Sequence, residues 1–94
     1  MIHEDRQKLT KKTLDLKRAI DSLKEELEAI DWYNQRADAT EDESLEKILR
    51  HNAKEEKEHA SMLVEWIRRA DPEFEHELKD YLFTDKPITE IENG

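Results

Sequence analysis

Glu55-Glu56-Lys57-Glu58-His59 decides how this chain is read, because two of its residues stand where a helix needs apolar ones. Set out in heptads, one seam of the surrounding helix runs Leu45, Asn52, His59, Trp66 and the other Leu49, Glu56, Leu63, Ala70. The face they form is apolar at both ends and polar in the middle. An unpaired charge buried there would be costly. Glu56 and His59, at i and i+3, point the same way, and a carboxylate beside a neutral imidazole is a common half of a site for a first-row metal. Glu56-x-x-His59 is therefore the leading candidate site. The blander alternative is a buried ion pair or polar layer that fixes helix register and binds nothing.

Composition limits what can surround this stretch. The 94 residues leave room for one small domain, residues 1–94, of which 35% are apolar and 44% charged, with one Gly and two Pro. That balance suits long helices and is poor for sheets, so the expected class is all-α. So few apolar residues make a marginal core, and helical chains of this kind complete it by association. A formal net charge of −9 argues against nucleic acid or an anionic membrane as partner and draws cations to the surface. No cysteine is present, which removes disulfides, thiolate metal sites and thiol catalysis. With no signal peptide or membrane span in the sequence, the expected location is the cytoplasm.

In chain order, Leu9, Leu16, Leu23, Ile30 and Ala37 recur every seven residues, with Thr13, Ile20, Leu27 and Asn34 as the companion seam. This bundle pattern predicts a first helix over about 7 to 38 after a frayed start. Thr40 and Glu43 read as a capping box opening a second helix, about 41 to 70, and so short a connection makes the pair an antiparallel hairpin. Asp71-Pro72 stops it, with Asp71 able to cap a successor. Phe74, Leu78, Tyr81 and Leu82 give a short third helix over about 73 to 82, and in the tail from 84 to 94, Pro87, Ile88 and Ile91 suit one more turn.

The first helix carries the complement of the candidate site. Glu26 belongs to the row Ala19, Glu26, Tyr33, beside the apolar Leu23, Leu27 and Ile30, so its carboxylate can reach into a helix interface. In carboxylate-bridged di-iron proteins built on four helices, two helices each give one Glu and the other two each give a Glu-x-x-His pair. This chain contains half of that set. A two-fold dimer of hairpins restores four helices, four carboxylates and two imidazoles around two metal ions, so the motif count predicts a four-helix bundle rebuilt by dimerisation.

The stretches Glu-Glu-Leu-Glu-Ala-Ile-Asp-Trp-Tyr-Asn-Gln-Arg (Glu25 to Arg36), Glu-Glu-Lys-Glu-His-Ala (Glu55 to Ala60) and Asp-Tyr-Leu-Phe-Thr (Asp80 to Thr84) resemble the encapsulated ferritins, and the likeness spans most of the chain. Those proteins look like half a ferritin. The resemblance implies a ferroxidase centre between two subunits, a ring of five dimers, and an encapsulin shell around it. It also implies that Glu26, Glu56 and His59 ligate the two irons with Tyr33 beside them, and that Glu25 and Glu28, near Trp32, form an acidic uptake site for ions. One feature departs from the family. Its separate cargo proteins carry a C-terminal packaging peptide, and none follows Ile91 before Gly94, which fits a truncated chain or a domain separated from a fused shell protein.

The expected function is oxidation of Fe²⁺ by O₂ at a di-iron centre, for storage as Fe³⁺, with iron as both substrate and cofactor and no organic cofactor. Two other classes remain open: a di-iron or di-manganese oxygenase or peroxidase, and a metal-independent helical scaffold whose polar layer sets dimer register. Taken alone, Glu25 and Glu28 are a solvated acidic face, and Tyr33 and Trp32 are packing groups. His51, Glu55 and Glu58, at i, i+4 and i+7, are candidates for an outer cation between subunits, although such triplets usually do nothing. His3 and His76 read as surface residues.

Overall fold

The structure, a computed structural model, describes residues 1–92; of the expected tail, residues 93 and 94 lie outside them. Helix α1 spans Lys11–Ala39, α2 Glu43–Ala70 and α3 Pro72–Tyr81, with single 3-10 turns at Arg6–Lys8 and Ile88–Glu90. The periodicity placed the start of α1 nearer residue 7. The difference is Thr10, whose hydroxyl accepts from the Thr13 N–H at 3.1 Å and stops the helix from extending backward.

The hairpin turn also differs from the expected capping box. Asp42, rather than Thr40, caps α2 by accepting from the Leu45 N–H at 2.8 Å. Thr40 is occupied in closing α1, its own N–H donating to the Arg36 carbonyl at 3.1 Å and its hydroxyl accepting from Asp42 N–H at 3.2 Å. A carboxylate at the N-cap, with Glu43 and Glu46 in the first turn, also suits the positive end of the helix dipole. Arg50 reaches back across the turn to Asp38 at 3.0 Å while holding Glu46 at 2.9 Å, which ties the two helix ends together.

The antiparallel pair α1 and α2 forms the body of the molecule, with α3 folded against α2. The buried residues are small for the most part: Ala19 and Ala37 on α1, and the row Ala53, Ala60 and Ile67 on α2. Leu23, Ile30, Leu49 and Leu63 are half-buried around them. The companion seam Thr13, Ile20, Leu27, Asn34 is exposed along its whole length, and Leu45, His59 and Trp66 are exposed on the edge of α2. The physical reason is simple. The sequence gives each helix an apolar face wide enough for two neighbours, and a hairpin supplies one. With extents of 49 × 40 × 19 Å the chain is a slab less than two helix diameters thick, so one broad face of each long helix stays open.

Asp71 ends α2 and begins α3, its carboxylate accepting from the N–H groups of Glu73 at 3.0 Å and Phe74 at 3.1 Å, with Pro72 in the first turn. Arg68 then joins the two helices, donating to Glu65 at 2.6 and 2.7 Å and to Glu75 at 3.0 Å. Beyond α3, Phe83 adopts φ 59°, a left-handed conformation uncommon for a bulky side chain, which turns the chain toward the Ile88–Glu90 turn and buried Ile91.

Two outcomes follow for stability. Asp71→Ala should cost about 0.5–2 kcal/mol in denaturant unfolding, the usual cost of losing a helix N-cap. Hydrogen bonds from Arg68 first, and then Arg69, hold the Glu65 carboxyl at about 2, below its ordinary 4.5. A group held below its unfolded value stabilises the fold above that value and loses its effect as pH falls through the folded one. The difference in unfolding temperature between wild type and Glu65→Gln should therefore be present above pH 4.5 and vanish as pH approaches 2. The size of the effect should be modest, because the pair is solvated.

Candidate metal centre

Glu26 and Glu56 stand fourteen residues from the two ends of the 40–42 turn, so an antiparallel hairpin must bring them level. His59, one turn beyond Glu56 on the same helix, completes the group. Its Nδ1 lies 3.5 Å from Glu56 Oε2 and 3.7 Å from Glu26 Oε2, and one ligand atom from each of the three side chains falls within 4.8 Å of the others. Among the described residues this is the only place where three such groups converge.

The environment of the three is uneven. Both carboxylates are half-buried, with 24% of each side chain exposed, whereas His59 is 46% exposed on the edge of the hairpin. Glu26 Oε2 is shielded from solvent and has no hydrogen-bond partner. A buried carboxylate oxygen without a donor is a costly arrangement, and no Lys or Arg lies within ion-pair distance of either Glu among the described residues. Two carboxylates and one imidazole suit a divalent first-row metal such as iron or manganese. The donor set therefore fits an iron ion, and it is half of what a four-helix di-iron site requires.

The other residues singled out from the sequence stand apart from this group. Tyr33 is half-buried on the same row as Glu26, two turns further along α1. Trp32, Glu25 and Glu28 are exposed, and neither carboxylate of that pair has an ion-pair partner among the described residues. His51 lies 3.6 Å from Glu55, while Glu58 does not join them within one chain. His76 lies 3.6 Å from Asp80 at the surface, and His3 is exposed. Sequence reasoning passed over Arg36, whose guanidinium lies over the rings of both Trp32 and Tyr33. Its i+4 and i+3 spacing from the two aromatics was the available signal.

An all-helical hairpin that carries one Glu on its first helix and Glu-x-x-His on its second is half of a ferritin-like bundle, and that is the class of protein the fold defines. The model of the EncFtn-like family matches residues 1–85, and the chain belongs to that family. It is 58% identical over 90 residues to a ferritin-like protein of Thermotoga maritima, covering 96% of this chain and 79% of that one. It is 53% identical over 90 residues to an encapsulated ferritin-like protein of Rhodospirillum rubrum, covering 96% of this chain and 64% of the relative's length. A solved structure of a Nitrosomonas europaea protein, 62% identical, superposes with a TM-score of 0.88 over 93% of this chain and 96% of that one.

Replacing Glu56 and His59 together by Leu tests whether this group exists for packing. As a polar layer alone, the exchange should be neutral or should stabilise the metal-free protein by about 1–4 kcal/mol. As a metal site, the exchange should in addition abolish the rise in unfolding temperature that Fe²⁺ gives the wild type under anaerobic conditions. We expect the second outcome; an Fe²⁺-induced rise that persists in the double variant removes these residues from the site.

Proposed function

We propose that the protein is a ferroxidase, in which Fe²⁺ gives up an electron to O₂ at a di-iron centre shared by two copies of the chain and the Fe³⁺ passes on to storage. One observation carries this reading: the shielded, unpartnered Oε2 of Glu26, 3.7 Å from His59 Nδ1 and with Glu56 alongside. Iron supplies the redox chemistry when bound, and it is the substrate as well as the metal held. The chain's part is to bind and to bias. Glu26 and Glu56 offer hard oxygen donors that favour the ferric ion, and their half-burial keeps bulk water from competing for it. His59, 46% exposed on the edge of the hairpin, supplies the nitrogen donor, and a second copy docked on that edge would bring its own Glu, Glu and His.

The remaining assignments belong to the same reading. Tyr33 stands on the row of Glu26 two turns from the centre, Glu25 and Glu28 gather ions outside it near Trp32, and His51, Glu55 and Glu58 hold an outer cation only where a second chain completes the group. The assembly is a homodimer, a reading supported by the open apolar faces at Ile20, Leu27, Leu45, Met62 and Trp66, and the ring of five dimers is what the family resemblance implies. The shell is an encapsulin nanocompartment in the cytoplasm, which family membership and the name of the Rhodospirillum rubrum relative support.

Adding Fe²⁺ anaerobically to metal-free protein should shift a monomer and dimer mixture toward dimer and larger rings, read by native mass measurement. Admitting air should then oxidise the iron faster than it oxidises in buffer. Turnover that runs faster with peroxide than with O₂ would transfer the site to peroxidase chemistry. An unchanged mass distribution with no stoichiometric iron would leave a metal-independent scaffold.

A further inference from the structure

Arg36 is the arginine of α1 and α2 whose charge goes to no carboxylate. Arg18, Arg50, Arg68 and Arg69 all hold Asp or Glu oxygens at 2.6–3.0 Å. Arg36, in the last turn of α1, instead sets its guanidinium carbon 5.8 Å from the ring centroid of Trp32 and 5.6 Å from that of Tyr33. Trp32 and Tyr33 lie four and three residues before it, so one cation covers two adjacent rings. The rings differ in setting: Tyr33 is half-buried on the row of Glu26, and Trp32 is 48% exposed beside Glu28.

A cation over an aromatic face is attracted to the neutral ring. The same charge opposes a ring that has lost an electron, because a positive centre would then face a positive centre at close range. We propose that Arg36 is a positioning residue that protects Trp32 and Tyr33 from one-electron oxidation. In the step it opposes, an oxidant takes one electron from a ring and is itself reduced. The indole of Trp32 is left as a radical cation, while the phenol of Tyr33 also gives its proton to water and is left as a neutral radical. The need for protection rests on the ferroxidase reading, in which O₂ is reduced to hydrogen peroxide and related species at a centre two turns from Tyr33 on the same helix. The effect itself is a property of the iron-free chain.

Trp66 provides an internal reference, since it has no cation over its ring among the described residues and its setting, on the face assigned above to association, is the same in wild type and in the Arg36 variants. The test exposes iron-free, full-length protein to the azide radical generated by radiolysis, an uncharged one-electron oxidant that Arg36 neither attracts nor repels, and reads oxidised Trp32 relative to oxidised Trp66 by peptide mass spectrometry. In Arg36→Gln, which keeps a planar polar group and loses the charge, the ratio should rise several-fold over wild type. In Arg36→Lys it should stay close to wild type. Arg36 is exposed, so neither exchange removes a buried contact. A ratio unchanged in Arg36→Gln overturns the proposal, and so does a rise in Arg36→Lys equal to that in Arg36→Gln, because the protection would then not be one of charge. With no iron present, failure here bears on Arg36 alone, and a chain without ferroxidase activity could still show the protected ratio.

Discussion

The arrangement on which the rest of the structure depends is the carboxylate of Glu26 set against Glu56 and His59 at the middle of the hairpin, with no Lys or Arg beside it among the described residues. Negative groups held this close repel one another, and partial burial strengthens that repulsion by lowering the local dielectric. A hairpin built for stability alone would place Leu or Ala at 26, 56 and 59, continuing the pattern of Leu23, Ile30, Leu49 and Leu63. The chain instead carries a polar break in its best-packed region and compensates near the ends, through Asp42 and Asp71 caps and the Arg50 and Arg68 bridges. The caps and these ion pairs thus lie toward the helix ends, and the midpoint is left for a ligand of opposite charge.

The apolar surface is organised by the same division. Alanines 19, 53 and 60 flank the polar break and are among the few buried residues, so the two helices meet there through small side chains. The larger groups, Ile20, Leu27, Leu45, Met62 and Trp66, lie outside that contact. Area of this kind on a small chain is a strong drive to associate, at about 25 cal/mol for each Å² covered. His59 lies on this same open edge rather than inside the hairpin, so an association that covers the apolar residues also covers the exposed side of the polar group.

Much of this was legible in the sequence because it depends on period and distance alone. The seven-residue rows gave the long helices, Asp71-Pro72 gave the break before α3, and Glu26 with Glu56-x-x-His59 gave the candidate ligands. What the sequence left open was settled by competition between neighbours. Thr40 and Asp42 are both good N-caps, and Asp42 holds the position because Thr40 is engaged in ending α1. Which of two apolar seams would face inward depended on how many helices one chain provides: Leu16, Leu23, Ile30 and Ala37 turned inward together with the row Ala19, Glu26 and Tyr33, while Thr13, Ile20, Leu27 and Asn34 stayed outside. Arg36 escaped notice because a basic residue near a helix end already has an explanation in the helix dipole.

The three-residue turn at 40–42 acts as a length gauge. Glu26 and the Glu56, His59 pair are reckoned from it in opposite directions, so a residue gained or lost in either helix between the turn and the centre rotates one partner by about 100° and slides it by about 1.5 Å. No adjustment of side-chain rotamers restores a carboxylate to a face it has left by that angle. Length variation in relatives of this chain should therefore gather before Lys11 and after Ala70, outside the interval that sets the register, while the interval itself changes by substitution.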